Sequence, residues 1–188
     1  DQTDEYSPGY HVVLDNGEVV TVRWDHVDLD EGVIDIRWAL QKVQGKVHLV
    51  GPKTSSSVRS VALTELAVGA LRRRRMQQIK DKVYVGQGWA NEMNLVFTTP
   101  LGTPLDKDNV RKRELPPLLK AGGLPTELRF HDLRHIAASL SLGNGVSITT
   151  VSQMLGHSDA ATTLRVYAHA IPGAQREAAK TLNILLAS

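Results

Sequence analysis

The chain has 188 residues, of which 41% are hydrophobic and 22% charged, and a formal net charge of +2. This is room for one domain with a real hydrophobic core, and the composition of an ordinary soluble globular protein. There is no cysteine, which excludes a disulfide framework, a thiolate metal site and a cysteine nucleophile; no apolar run approaches the ~20 residues that span a bilayer, and no signal-peptide pattern opens the chain.

Residues 1–10 (DQTDEYSPGY) are polar, punctuated by Pro and Gly, and read as loose. From His11 to Trp24, β-branched runs flank Asp15-Asn16-Gly17, a good hairpin turn. Asp30-Glu31-Gly32 makes a turn, and Val33–Leu40 alternates as a strand does. Lys46–Val50 and Val58–Leu63 read as further strands, joined by the turn-rich G-P-K-T-S-S-S, and the set is expected to form one small antiparallel sheet. Thr64 is a candidate N-cap for a helix running to about Lys82. Val83–Asn94 is a Gly-containing connection, Leu95-Val96-Phe97 a short apolar element, and 100–104 a loop. Asp106 or Asp108 caps a helix to Lys120 that must cross Pro116-Pro117.

The last third is helical and well punctuated. Phe130–Leu142 stops at Gly143-Asn144-Gly145, Ser147–Leu155 stops at Gly156, and Ala160–Ala168 ends before Pro172-Gly173. Ala174–Leu186 is amphipathic, with Ala174, Ala178, Ala179, Leu182, Leu185 and Leu186 on one stripe. The expected class is α+β, mostly α-helical with one small antiparallel sheet.

Charge is unevenly placed. Residues 1–38 hold ten acidic residues against Arg23 and Arg37, whereas residues 39–188 hold twenty basic residues against ten acidic. The basic part includes Arg72, Arg73, Arg74 and Arg75, then Arg111, Lys112 and Arg113, which suits a polyanion. A charge run on a helix is equally a solvated face.

Four side chains carry candidate chemistry. His131 and Arg134, at i and i+3, share a helix face and can reach one anion. His157 follows a helix end, and Tyr167 lies ten residues on. Singly, each has a plainer explanation: helix capping, a carbonyl bond, core packing. Together they suit metal-free phosphoryl transfer, with guanidinium and imidazole donors holding phosphate oxygens while a phenol attacks. A phenol has a pKa of about 10 and needs that help at neutral pH. His131 and His135, at i and i+4, also have the spacing of a paired-histidine metal site, which would make a chelator-sensitive nuclease. Arg134 would then set a cation beside the metal, so no metal and no cofactor is expected.

The string F-H-D-L-R-H, then V-S-Q-M-L-G-H-S-D-A-A-T-T-L-R-V-Y-A-H, resembles the catalytic domain of tyrosine recombinases, the phage integrase family, in order, spacing and flanking residues. The resemblance implies that family's fold and a reaction: site-specific DNA recombination through a 3′-phosphotyrosyl bond on Tyr167, in phage-type integration or excision. It implies Arg134, His131 and His157 as the phosphate-binding and proton-handling set. It implies Lys53, in G-P-K-T-S-S-S-V-R-S, as general acid toward the leaving 5′ oxygen, on a hairpin at the rim of one basic concavity. Gly17, Glu18 and Trp24 match a family helix, which favours a helix after Gly17.

One position departs from the family. Its first arginine stands two residues before a Gly-Glu pair, where this chain has Asp15. Losing one oxyanion donor costs on the order of 10²–10³ in rate, and Arg23 or Arg59 would have to substitute. The expected organisation is a poorly matched segment 1–16 and a catalytic domain 17–188, without the family's core-binding domain. Double-stranded DNA is the expected partner, in a homo-oligomer on DNA (a tetramer in the family), and the cytoplasm the expected place. The rival reading is a catalytically degenerate, DNA-binding integrase remnant.

Overall fold

The computed structural model describes residues 12–13, 19–44, 46–51, 58–157 and 159–168. The chain divides into two compact units, 1–133 and 134–188.

Among the described residues, the first unit holds the strands: β1 Val12–Val13, β2 Val19–Thr21, β3 Val27–Asp28, β4 Val33–Ile36, β5 Trp38–Val43, β6 Lys46–Val50 and β7 Arg59–Ala62. They form two antiparallel sheets rather than the single one expected, in the orders β1-β2-β5-β6 and β3-β4-β7. The expected strand 33–40 is the reason. It breaks at Arg37, so that Ile34 pairs with Val61 in one sheet while Ala39 pairs with Val20 and Val50 in the other. Alternation continues through the break, so a period-2 pattern cannot reveal it.

A second correction concerns residues 19–21. They are a strand, not the helix favoured after Gly17, with Val12 opposite Val20 and Val13 opposite Val19. The β-branched residues on both sides of the turn signal prevailed, and pairing with β5 stabilises the arrangement. Asp15 itself lies outside the described residues.

Helix α1, Glu65–Val85, is capped as expected: the Thr64 hydroxyl accepts from the Ala67 N–H. It ends three residues later than the sequence suggests, at Gly86, whose φ of 65° suits glycine. Its inward face is polar as well as apolar, because Leu71, Arg74 and Gln78 fall on one stripe. Leu71 joins Val22 and Val96 in the core, with Trp24, Val27, Leu29, Ile34, Leu63 and Phe97 packed around them. Gln78 is buried and donates to the carbonyls of Leu95 and Val96 and to the Thr98 hydroxyl, each at 3.0 Å. Its own oxygen accepts from Trp24 Nε1 at 2.7 Å. Arg74 donates to the Val96 and Thr98 carbonyls at 3.1 and 2.8 Å. Segment 95–98 belongs to no named strand; α1 side chains donate to its carbonyls, while its Leu95 and Val96 N–H groups donate to Asn91 Oδ1 and the Val22 carbonyl.

The helix expected to cross Pro116-Pro117 does so through a wider turn. A short α2, Lys107–Asn109, leads into a π-helical turn, Val110–Glu114, and then α3, Leu115–Ala121, with both prolines in its first turn and with Asn109, Glu114 and Leu115 all at right-handed helical angles. The Leu115 N–H donates to the Val110 carbonyl, five residues back, just before the two residues that lack an N–H.

Helix α4, Phe130–Gly143, carries the boundary between the units. The second unit continues with α5, Ile148–Leu155, and α6, Ala160–Tyr167. Its core is Ala138, Leu142, Val151, Leu155 and Tyr167, with Ile148 packed against them. The amphipathic segment 174–186 lies outside the described residues.

Candidate active site

The start of α4 is fixed by Asp132. Its carboxylate accepts from the Arg129 backbone N–H at 2.8 Å and from the Arg129 guanidinium at 2.9 and 3.1 Å. This is the returning half of a capping box, and it raises the pKa of the Arg129 guanidinium above its ordinary value. His131 stands one residue into the helix, and Arg134 one turn later. Residue 132, between the two histidines of the paired-metal reading, is thus committed to the helix end. Among the described residues, no group of three or more His, Cys, Asp or Glu is placed to hold a metal ion.

In the second unit Arg134, His157 and Tyr167 come together around the end of α5. That helix is capped at its start by Ser147, whose hydroxyl accepts from the Thr150 N–H. It ends in a Schellman turn: Gly156 is left-handed at φ 73°, its N–H donates to the Gln153 carbonyl, and the His157 N–H donates to the Ser152 carbonyl at 3.1 Å. The Leu-Gly-His string is therefore a helix stop that sets His157 immediately past the turn. Arg134 Nη2 donates to the Leu155 carbonyl at 2.5 Å. A guanidinium at a helix C-terminus satisfies an otherwise orphaned carbonyl and complements the helix dipole.

His157 is oriented from α6. Its Nδ1 shares a 2.7 Å hydrogen bond with the Thr163 hydroxyl, and Thr163 is fully enclosed. That bond fixes the imidazole from its Nδ1 side. Asp159 caps α6 by accepting from the Ala161 N–H. One turn after Thr163, Tyr167 points the same way: it is 2% exposed, and its Oη shares a 2.7 Å hydrogen bond with His135 Nδ1. The two rings are tilted by 51° with centroids 5.5 Å apart.

His135 entered the sequence reading only as half of a metal pair, and Thr163 not at all. A signal for each existed. His135 follows Arg134 directly, and Thr163 precedes Tyr167 by four positions, the spacing of one helix face.

The other expected residues fall elsewhere. Lys53 lies outside the described residues, as does Asp15. Arg23, a candidate substitute for the missing arginine, pairs with Asp25 at 2.8 Å and lies over the Trp38 ring. Arg59 is half-buried on β7. Of the run on α1, Arg72 pairs with Asp30, Arg73 is exposed, and Arg75 lies over the Trp24 ring. Arg74 turns inward, and burial lowers its pKa, an effect the charge of Asp81 opposes. Arg111 pairs with Asp108, while Lys112 and Arg113 are exposed.

Known proteins resemble this chain in both sequence and structure. A tyrosine recombinase XerC-like protein of Caldanaerobacter subterraneus is 31% identical, over 92% of this chain and 46% of its own. The ICEBs1 integrase of Bacillus subtilis is 27% identical, over 96% of this chain and 48% of its own. The chain thus spans about half the length of the curated relatives it matches. Among solved structures, the Tn1549 transposon integrase in complex with a circular intermediate DNA superimposes with a TM-score of 0.67 at 24% identity, over 86% of this chain and 52% of its own. XerA recombinase gives 0.60 at 24% identity, over 86% of this chain and 50% of its own. The fold is that of tyrosine recombinase catalytic domains. Residues 13–173 match the phage integrase family, and the chain belongs to it.

Proposed function

We propose that residues 17–188 are the catalytic domain of a site-specific DNA recombinase, which cuts and rejoins duplex DNA in phage-type integration or excision. The observation that carries this reading is the gathering of Arg134, His157 and Tyr167 at the end of α5. Sequence separates these residues by up to 33 positions. Packing gives each a defined orientation, which phosphoryl transfer without a metal requires.

Tyr167 Oη attacks a DNA phosphorus in line with the 5′ oxygen. A P–O bond forms to the phenol, the P–O5′ bond breaks, and the phenolic proton leaves to a neighbouring base. The departing 5′ oxygen takes a proton, a role that falls to Lys53. Arg134, His131 and His157 hold the non-bridging oxygens as charge builds on them. The 3′-phosphotyrosyl link keeps the energy of the broken bond, so a 5′-hydroxyl from a second strand reverses the step without ATP. Double-stranded DNA is the partner, in a multimer assembled on it and in the cytoplasm. Arg72, Arg73, Arg75, Arg111, Lys112 and Arg113 supply backbone contacts, while Arg74 spends its donors inside the protein.

One observation favours a second reading, an integrase remnant that binds DNA and cleaves it poorly. Asp15 stands where the family has its first arginine. A carboxylate about 4 Å from a phosphate oxygen repels it by about 4 kcal/mol at an effective dielectric of 20.

A nicked duplex carrying the junction between element and host separates the two readings, because its short 5′-hydroxyl fragment diffuses away and traps the covalent state. The recombinase reading expects a protein–DNA adduct stable to denaturant and absent from Tyr167→Phe. DNA binding with no adduct selects the remnant.

A further inference from the structure

Two of the chain's three tryptophans line one cleft of the first unit, with a volume of about 510 Å³. Trp24, Arg75, Ile79, Lys82, Trp89 and Asn94 surround it. Arg75 and Lys82 stand two turns apart on one face of α1, and among the described residues neither makes an ion pair. The one carboxylate in the cleft, Asp25, is held by Arg23 at 2.8 and 2.9 Å, so its charge is largely neutralised.

The walls are fixed by the chain itself. The Asn91 amide spends both its ends on the Leu95 backbone, at 2.9 and 2.8 Å. The Trp24 backbone N–H donates to the Asn94 carbonyl at 2.9 Å, and the Ala90 N–H to the Leu101 carbonyl at 3.0 Å. Glycine is required at 102, where φ is 86° and a Cβ would stand 2.9 Å from Ala90 N and 3.0 Å from the Trp89 ring. Gln78 has spent its amide within the protein. The groups left over are donors: among the described residues, the Trp89 indole N–H, the Lys82 ammonium and the Arg75 guanidinium have no hydrogen-bond acceptor. Arg75 also lies over the Trp24 ring, 5.4 Å from its centroid, and bases stack on guanidinium planes as they do on aromatic rings. Flat π surfaces beside cationic donors suit an unpaired nucleotide, which brings a bare base face and phosphate oxygens together.

We propose that this cleft binds single-stranded DNA, with a base against Trp89 and the Arg75 guanidinium and its phosphate on Lys82. A duplex keeps its bases stacked on one another, so it offers Lys82 a phosphate and Trp89 nothing. In the recombinase reading, unpaired nucleotides arise when a cut strand leaves its complement to meet a second one. The binding itself requires no cleavage and stands apart from that reading.

The test follows a fluorescein-labelled oligothymidylate of twelve nucleotides by anisotropy and indole stacking by quenching of tryptophan fluorescence, with a labelled twenty-base-pair duplex for comparison. The unaltered chain is expected to bind the oligothymidylate with quenching. Trp89→Leu removes the stacking surface and is expected to weaken that binding by about tenfold or more, whereas Trp89→Phe, which keeps a ring, stays within about threefold. Lys82→Gln is expected to flatten the log–log salt dependence for the single strand by about 0.7, one phosphate contact. Lys82 is exposed, so this variant tests the site even if Trp89→Leu fails to fold. Duplex affinity is expected to be unchanged in all three; Arg75 is not varied because duplex contacts are assigned to it above. No binding of the oligothymidylate, or binding unchanged in both Trp89→Leu and Lys82→Gln, overturns the site. Equal losses for single strand and duplex overturn it too, since they mark a general phosphate-binding surface. None of these outcomes bears on adduct formation at Tyr167, so the recombinase reading stands or falls separately.

Discussion

Replacing Gln78 by Leu is nearly isosteric and removes four hydrogen bonds from the inner face of α1. Three of them have a second donor in place. The Leu95 carbonyl also accepts from Asn91 Nδ2 at 2.9 Å, and Arg74 donates to both the Val96 carbonyl and the Thr98 hydroxyl. These acceptors lose little. The Trp24 indole N–H loses its acceptor, and an unsatisfied donor in a partly buried site costs about 1–3 kcal/mol. With a few tenths for each shared carbonyl, the substitution should destabilise the first unit by about 2–3 kcal/mol, less a modest gain from burying Leu. Urea unfolding followed by tryptophan fluorescence measures this, since Trp24, Trp38 and Trp89 all lie in residues 1–133. The decisive control is Trp24→Phe, which removes the donor. In that background Gln78→Leu should cost at least about 1 kcal/mol less, a coupling read from the double-mutant cycle. A cycle with no coupling would refute the assignment of Gln78 as the partner of the indole, whatever the size of the single effect.

Arg73 and Arg74 are neighbours with opposite fates, so their substitutions should separate. Arg73→Ala should leave the unfolding midpoint unchanged and flatten the log–log salt dependence of DNA binding by about 0.9 if Arg73 meets a phosphate. Arg74→Met should leave that slope unchanged and destabilise the first unit by about 1–3 kcal/mol, because the Thr98 carbonyl loses its Arg74 donor while the Val96 carbonyl keeps Gln78. Asp15→Arg should raise adduct formation by at least about 10² if that position faces the scissile phosphate; an unchanged rate would show that Asp15 lies away from it. DNA affinity of the unaltered chain should fall steeply between 50 and 200 mM salt, and a flat response would count against a phosphate-dominated interface.

Much of the second unit was legible in the sequence because its signals are local. Ser147, Gly156 and Asp159 are cap residues whose own side chains or backbone angles end the helices they flank, so α5 and α6 could be bounded by inspection. The same holds for Thr64 and α1. The spacing of His131, Arg134, His157 and Tyr167 identified the family, since a recurrent order of side chains survives without knowledge of their contacts.

What depended on distant partners was not legible. Val33–Leu40 alternates without interruption, and only pairing to β7 on one side and to β2 and β5's other neighbour β6 on the other divides it at Arg37. Arg74 sits in a run of four identical residues, and what distinguishes it is the backbone of 95–98 that it meets across the unit. On α6 hydropathy points the wrong way: Leu164 and Val166 face outward while Thr163 is enclosed, because an oriented imidazole needs a hydroxyl there. His135 likewise acquires its meaning from Tyr167, 32 positions away. The sequence by itself determined the family and the ends of the helices bounded by local caps, which are encoded by neighbours along the chain. Tertiary structure alone decided which arginine turns inward, where the sheets divide and how Tyr167 is held, because each is set by contacts between residues far apart in sequence.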